Sequence, residues 1–481
     1  MEETGPRAAS GAEKGPKINI KMKNNYAIIA LVVFFSCVCA RASEIPDSLQ
    51  LYPADQEVTF LTLEDAITVA LSESESVQIA DKEVQRAGHA KKGTYAALFP
   101  QIDLTGSYQR VLIKNDIRAM MGSDSPMAKQ MTDTKIGSFN TLAVGASASM
   151  PIINAALWKS IKISGQSVEL AVEKARASRL ELVAQVKKAY YATLMAKESF
   201  RVFRELYENA LSNYGQTEKK YNAQKASELE MTTAKTNLAA AIPNVYTAES
   251  NVILALWQLK AVIGADLDAN IDIVGSLDDY SGQLNTEPSY DSLSLDRNST
   301  MKQLAIQADQ LIQTVKMRQM AYVPTLAATI SITYSAVSND PIQNLGWFPY
   351  SYAGFSLNIP IFSGGKRYHD VKQARNQYQQ LQLQTQSTEK QLRIGVQQQL
   401  STMQTAVKSY GASKDALASA EKAYQIAAKS YEVGRATLIE LDNAQLNLTQ
   451  CQLSLSDNIY SYLAAQAQLE SILGVENFEV K

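Results

Sequence analysis

The feature that most constrains this 481-residue chain is that it is written twice. Pro151 and Pro360 each close an alternating, strand-like run, and they stand 209 positions apart. Tyr221 of YNAQKAS and Tyr431 of YEVGRAT stand 210 apart, as do Gly264 of AVIGA and Gly474 of SILGV. An offset held to within one residue over this span marks an internal duplication, so both halves must fold alike.

The apolar spacing repeats with it. Leu441, Leu448, Leu455, Tyr462 and Leu469 recur every seven residues, and Met231, Leu238, Val245, Val252 and Leu259 stand 210 positions before them. Ahead of the turn, Tyr410, Leu417, Tyr424 and Tyr431 map onto Phe200, Tyr207, Tyr214 and Tyr221. A sustained seven-residue repeat means helices packed side by side as coiled coils. Glutamine-rich flanks such as QARNQYQQLQLQTQSTEKQ suit water. Each half reads as short helix, strand, loop, strand, long helix, turn, short helix. The helices are expected over about 62–97, 157–225 and 228–263, then about 292–321, 366–433 and 437–473. Two short helices laid end to end match one long one, which gives each half a rod of about 100 Å. Pro243 lies inside a short helix and costs ~3 kcal/mol there unless the helix kinks.

Between the helices lie four candidate strands, 101–113, 141–153, 325–337 and 352–362. Each has room to cross a bilayer as a tilted strand of ~9–11 residues. In the last, Ala353, Phe355, Leu357, Ile359 and Ile361 alternate with Gly354, Ser356, Asn358 and Pro360. One apolar face and one small polar face suit a barrel with lipid outside and water inside. Residues 347–352, WFPYSY, stand just ahead of this strand and fit either an interfacial aromatic girdle or an ordinary loop cluster. Four strands cannot close a barrel, and lipid does not tolerate an open edge, so other copies must supply the rest.

The amino-terminal 42 residues read as a secretory signal: Lys17, Lys21 and Lys23, an apolar run, then Ala40-Arg41-Ala42 as cleavage site. Met22 begins a complete signal by itself, which leaves Met1–Lys21 open as a start-site artefact. Cys37 and Cys39 leave with the signal, and neither Phe35-Ser36 before Cys37 nor Val38 before Cys39 matches the small residues that precede a lipid-anchored cysteine, so a soluble-type signal fits better. Cys451 alone remains, placed by its helical step as a packed core thiol. Outside the signal, no stretch has the ~18 uncharged apolar residues of a membrane helix. The resulting order is signal 1–42, first repeat 43–263, equatorial linker 264–291, second repeat 292–474 and tail 475–481.

These motifs resemble the TolC-like outer-membrane efflux protein family over about 61–475: LTLEDAITVAL (61–71), both strand–Pro–helix junctions, YEVGRATLIELDNAQLNL (431–448) and LESILGV (469–475). The resemblance implies a mainly α fold with a small β part. Duplicated coiled-coil hairpins form an α-barrel, and four strands per chain join a twelve-stranded β-barrel in a homotrimer. It implies an outer-membrane channel subunit extending into the periplasm, with a periplasmic adaptor and an inner-membrane pump as partners. The duct is a passive exit for small molecules or exported proteins.

Several residues take roles from this resemblance. Glu440 matches a pore-facing acidic position near the periplasmic mouth, and Glu230 is its counterpart in the first half. Asn443 stands where the family often has a second acid, and Asp442 is one position off that pattern. From the residues alone, Thr437–Glu440 and Ser227–Glu230 fit capping boxes. Arg435, beside Gly434, is open to a charge link that holds the mouth shut or to simple solvation. Pro151 and Pro360, which lack an N–H, and Gly364 and Gly365, which permit unusual backbone angles, form the hinge from barrel to helical tube.

Other chemistry finds no support. The GGK at 364–366 lacks a glycine five positions before Gly365 and a Ser or Thr after Lys366, so it is no phosphate loop. His89 and His369 are the only histidines and stand apart, so no metal site, cofactor or catalytic triad is assembled. A net charge of −2 points away from nucleic acid. Trp158 and Trp257 read as packing residues. The chain is not expected to be an enzyme. A periplasmic coiled-coil adaptor or structural rod, without a membrane barrel, is the rival reading.

Overall fold

A computed structural model describes residues 58–116, 135–285, 294–339 and 345–475, all within one compact unit, Gln56–Lys481. The expected signal segment, residues 117–134, the end of the expected linker at 286–291, residues 340–344 and most of the tail lie outside the described residues. The elements in order are β1 (Thr59–Leu61), α1 (Leu63–Glu73), α2 (Glu75–Ala96), β2 (Gln101–Arg110), β3 (Asn115–Asp116), β4 (Lys135–Ile136) and β5 (Asn140–Ile153). Next come α3 (Ala155–Asn222), α4 (Glu228–Ile263), β6 (Ile271–Ile273), α5 (Ser299–Gln319), β7 (Thr325–Ser338), β8 (Gly346–Asn358), α6 (Lys366–Glu432) and α7 (Leu438–Leu473). At about 1.5 Å per residue, the 68 residues of α3 and the 67 of α6 each run about 100 Å.

The seven-residue seam does what its spacing predicts. Leu441, Leu448, Tyr462 and Leu469 are buried on α7, as are Val245, Val252 and Leu259 on α4. Helix α4 packs on α3 and α7 on α6, while α5 and α7 also contact α3 and so join the two halves. The first short helix differs from expectation. It is broken at Ser74, which caps α2 and gives its N–H to Ala70 at the end of α1. Trp158 and Trp257 are exposed rather than packed, at 59% and 52%. They lie off the seam, which covers only one stripe of each helix. Cys451 is half-buried, not enclosed in the core.

Two glycine joints mark the duplication in three dimensions. Gly264 ends α4 at φ +75 with its missing Cβ 2.9 Å from the carbonyl of Glu73. Gly474 ends α7 at φ +70 with its missing Cβ 2.3 Å from the carbonyl of Arg297. Both sit against the start of a short helix, and both the angle and the space exclude a side chain. Arg176 reinforces the second joint by donating to the carbonyls of Arg297 (3.0 Å) and Gly474 (3.2 Å). Beside these joints β1 pairs in parallel with β6, and Tyr190 donates to the carbonyl of Val274 at 2.5 Å. This small sheet was not anticipated, because three-residue strands carry no period.

The four long strands form one antiparallel sheet in the order β2-β5-β7-β8. Its edges, β2 and β8, are paired on one side only. The last strand departs from expectation: it runs over Gly346–Asn358, not 352–362, so the aromatic stretch lies within it. Pro349 sits in that strand and tolerates it because an edge strand leaves half its N–H groups unpaired. Pro151 does not end its strand either. It pairs with Ala327, and a register shift follows before Ile153. Beyond the β2–β5 hairpin, β3 and β4 add a short antiparallel ladder.

Candidate functional site

The two helical turns at the end remote from the sheet are built alike. Gln224 and Gly434 occupy equivalent places at φ +58 and +77. The next N–H in each turn closes back five residues, Lys225 to the carbonyl of Lys220 at 2.8 Å and Arg435 to that of Ser430 at 2.7 Å. Each turn then enters a reciprocal capping box. Ser227 N–H donates to Glu230 Oε2 at 2.9 Å, and Thr437 N–H donates to Glu440 Oε2 at 2.8 Å. In return the Glu440 N–H donates to Thr437 Oγ1 at 3.3 Å. The Thr437 amide and, next, the Thr437 hydroxyl, which donates to the same Oε2 at 3.1 Å, hold the Glu440 carboxyl below its ordinary value.

Glu440 is exposed, and so is Asn443 three positions on, which puts both on one outward stripe of α7. Glu230 is half-buried. Asp442 points elsewhere, accepting from Asn237 Nδ2 of α4 at 2.6 Å. It borders a groove of about 250 Å³ with Leu206, Gln445 and Leu446, and burial there raises its carboxyl above the ordinary value. Arg435 is exposed and forms no ion pair among the described residues, so the chain by itself does not supply the charge link.

Sequence reasoning missed the tie that joins the two turns. Tyr431 is 4% exposed, its hydroxyl 2.6 Å from Thr217 Oγ1 of α3. Lys220, also of α3, donates to the Tyr431 carbonyl at 2.6 Å and lies 3.8 Å over the ring. Leu438, Leu441 and Ala234 pack around it. Its counterpart Tyr221 is 40% exposed. The duplication flagged both tyrosines, but partners two hundred residues away leave no local signal.

At the other end, ladder pairing assigns every strand residue to a face, because directly paired residues share one. One face carries Leu104, Val144, Ile332, Phe355 and Leu357; the other carries Thr105, Ser147, Ser331, Thr333 and Ser356. Asp103 is the one charged residue on the polar face among the described strands β2, β5, β7 and β8. Phe348, Tyr350 and Tyr352 also fall on the polar face, with the two tyrosine rings 5.8 Å apart. Past β8, Gly364 and Gly365 adopt φ +59 and +82 and open α6. Arg367 braces the bend by donating to the carbonyl of Pro360 at 2.8 Å and to Ser363 Oγ at 3.0 Å.

A sheet that is apolar on one side and polar on the other, mounted on coiled-coil hairpins written twice, defines a membrane conduit with a helical extension. The outer membrane efflux protein family matches residues 66–265 and 292–475, and the chain belongs to it. It is an outer-membrane channel of a tripartite efflux or secretion system, reaching from that membrane into the periplasm. Outer membrane protein TolC of Escherichia coli (strain K12) is 20% identical over 368 residues, 74% of each chain. The alkaline protease secretion protein AprF of Pseudomonas aeruginosa is 25% identical over 316 residues, 64% of each chain. In three dimensions the chain is similar to the Campylobacter jejuni CmeC outer membrane channel, with TM-score 0.69 at 18% identity, covering 95% of this chain and 94% of that one. The outer membrane protein VceC of Vibrio cholerae gives 0.68 at 18% identity, covering 86% and 96%.

Proposed function

We propose that three copies close a twelve-stranded barrel in the outer membrane and continue it as a helical tube toward a periplasmic adaptor and an inner-membrane pump. The duct is passive, and the chain itself carries out no covalent chemistry. The observation that carries this reading is the four-stranded sheet with an apolar face, a polar face and two open edges, which one chain cannot satisfy in lipid. At the periplasmic mouth, Glu440 and Asn443, with Glu230 on the neighbouring hairpin, form the constriction, where trimer symmetry multiplies the acidic charge. Gly434 and Arg435 shape the turn that gates it. Gly364 and Gly365 turn the chain from barrel to tube after the second hairpin, braced through the Pro360 carbonyl, while Pro151 marks the register shift just ahead of the corresponding exit in the first half.

The test is reconstitution. Detergent-extracted protein should migrate as a trimer and give discrete channels in planar bilayers, blocked from the periplasmic side by multivalent cations. Recovery as a soluble periplasmic monomer would overturn the proposal.

A further inference from the structure

Near its start β8 carries WFPYSY, and ladder pairing divides these residues between the two faces of the sheet. Trp347, Pro349 and Ser351 lie on the apolar face. Phe348, Tyr350 and Tyr352 lie on the polar face, opposite Ser335, Thr333 and Ser331 of β7. An interfacial girdle faces lipid, so these three rings do not belong to one. They stand open at 61%, 65% and 48% exposure, beside hydroxyl side chains too short to cover them. The Tyr350 and Tyr352 rings lie 5.8 Å apart, inclined at 42°.

The fold does not require these tyrosines. The first half matches Pro360, Ser356 and Gly354 with Pro151, Ser147 and Gly145, each 209 positions earlier. The same offset sets Thr141 and Ala143 in the places of Tyr350 and Tyr352, and β5 forms both its ladders with them. Phe348 keeps its counterpart, Phe139, and there the chain seats a cation of its own: Lys114 Nζ lies 4.2 Å from the Phe139 ring centroid. Among the described residues no ammonium or guanidinium group lies over Phe348, Tyr350 or Tyr352.

We propose that Phe348, Tyr350 and Tyr352 form a binding stripe in the lumen for organic cations, molecules that carry an ammonium group on an apolar body. The face of an aromatic ring is electron-rich and attracts a cation within about 6 Å, while the ring surface takes up the apolar part. Charge complementarity agrees. The one charged residue on the polar face of the described long strands is Asp103, which shares a ladder row with Ser147, Ser331 and Tyr352. A negative charge with no positive neighbour on that face draws cations in and turns anions away. The inference rests on the barrel proposed above, in which three copies set three such stripes around one lumen. A cation held there is delayed in passage rather than selected for entry.

Block of single channels in planar bilayers tests the stripe, with benzyltrimethylammonium added on the extracellular side. The probe should interrupt the current at concentrations about tenfold below those at which neutral benzyl alcohol or anionic benzenesulfonate does so. Tyr350→Thr with Tyr352→Ala, which copies the first half, should raise the half-blocking concentration about tenfold. Tyr350→Phe with Tyr352→Phe keeps the ring faces and should retain block. Asp103→Asn should slow the onset of block and flatten its dependence on salt. Unchanged block in the Thr and Ala variant, or equal block by benzyl alcohol in the parent, overturns the stripe as a cation site. So does a loss in the Phe variant as large as in the Thr and Ala variant, which would assign the contact to the hydroxyls. Channels that conduct in these variants leave the trimer standing, whereas a parent that forms no channels overturns the barrel and the stripe together.

Discussion

At the scale of single residues, the two turns differ where their sequences do. Gln224 holds a left-handed conformation that Gly434 adopts freely, at a cost of roughly 1–2 kcal/mol. Gln224→Gly should therefore stabilise the protein by about 1 kcal/mol, seen as a higher midpoint in denaturant melts of the extracted channel. Glu440→Gln should alter single-channel conductance and weaken block by multivalent cations; unchanged block removes the acidic ring. Because the Thr437 amide holds Glu440 below its reference of 4.5, its charge is present above that value and is lost only as pH falls through the lowered one. Block should persist down to about pH 4.5 and fade below it. Tyr431→Phe removes the hydroxyl contact with Thr217 and should loosen the joint between hairpins by about 1 kcal/mol, read as greater conductance at rest. The capping boxes were legible from Ser-x-x-Glu and Thr-x-x-Glu spacing alone. The Tyr431 tie was not, since Thr217 and Lys220 enter from another helix.

Among elements, the long helices were the most legible, because a period sustained over many turns cannot be satisfied any other way. Ends were less so. The break at Ser74 escaped notice because the apolar pattern continues across it while one capping residue interrupts the backbone. The last strand was placed too late because Ile359 and Ile361 extend its alternation, whereas ladder pairing within the chain stops at Asn358. Helix α4 runs unbroken through the exposed Pro243, where the missing N–H and the ring cost up to about 3 kcal/mol. Pro243→Ala should raise thermal stability; no gain would mean that the ring fills a contact between copies. Gly474→Ala should do the reverse, since its Cβ would meet the Arg297 carbonyl, and the yield of assembled channel should drop.

For the whole molecule, the duplication was the most informative signal, because it fixed the plan of both halves before any single element was placed. Exposed tryptophans, open sheet edges and an Arg435 with no ion pair among the described residues all lie on surfaces that one chain leaves uncovered, and no pattern within a chain announces its neighbours. The polar side of the sheet has a consequence for traffic. Apart from Phe348, Tyr350 and Tyr352 on β8 and one aspartate, its long strands would present mostly hydroxyls, glycine and alanine to the lumen of the barrel proposed above. Such a surface offers few handholds, so a molecule in transit has little reason to linger. Discrimination between cargoes then has to occur upstream, before anything reaches the membrane, and exchanging individual lining residues should change flux more readily than it changes which cargo is accepted.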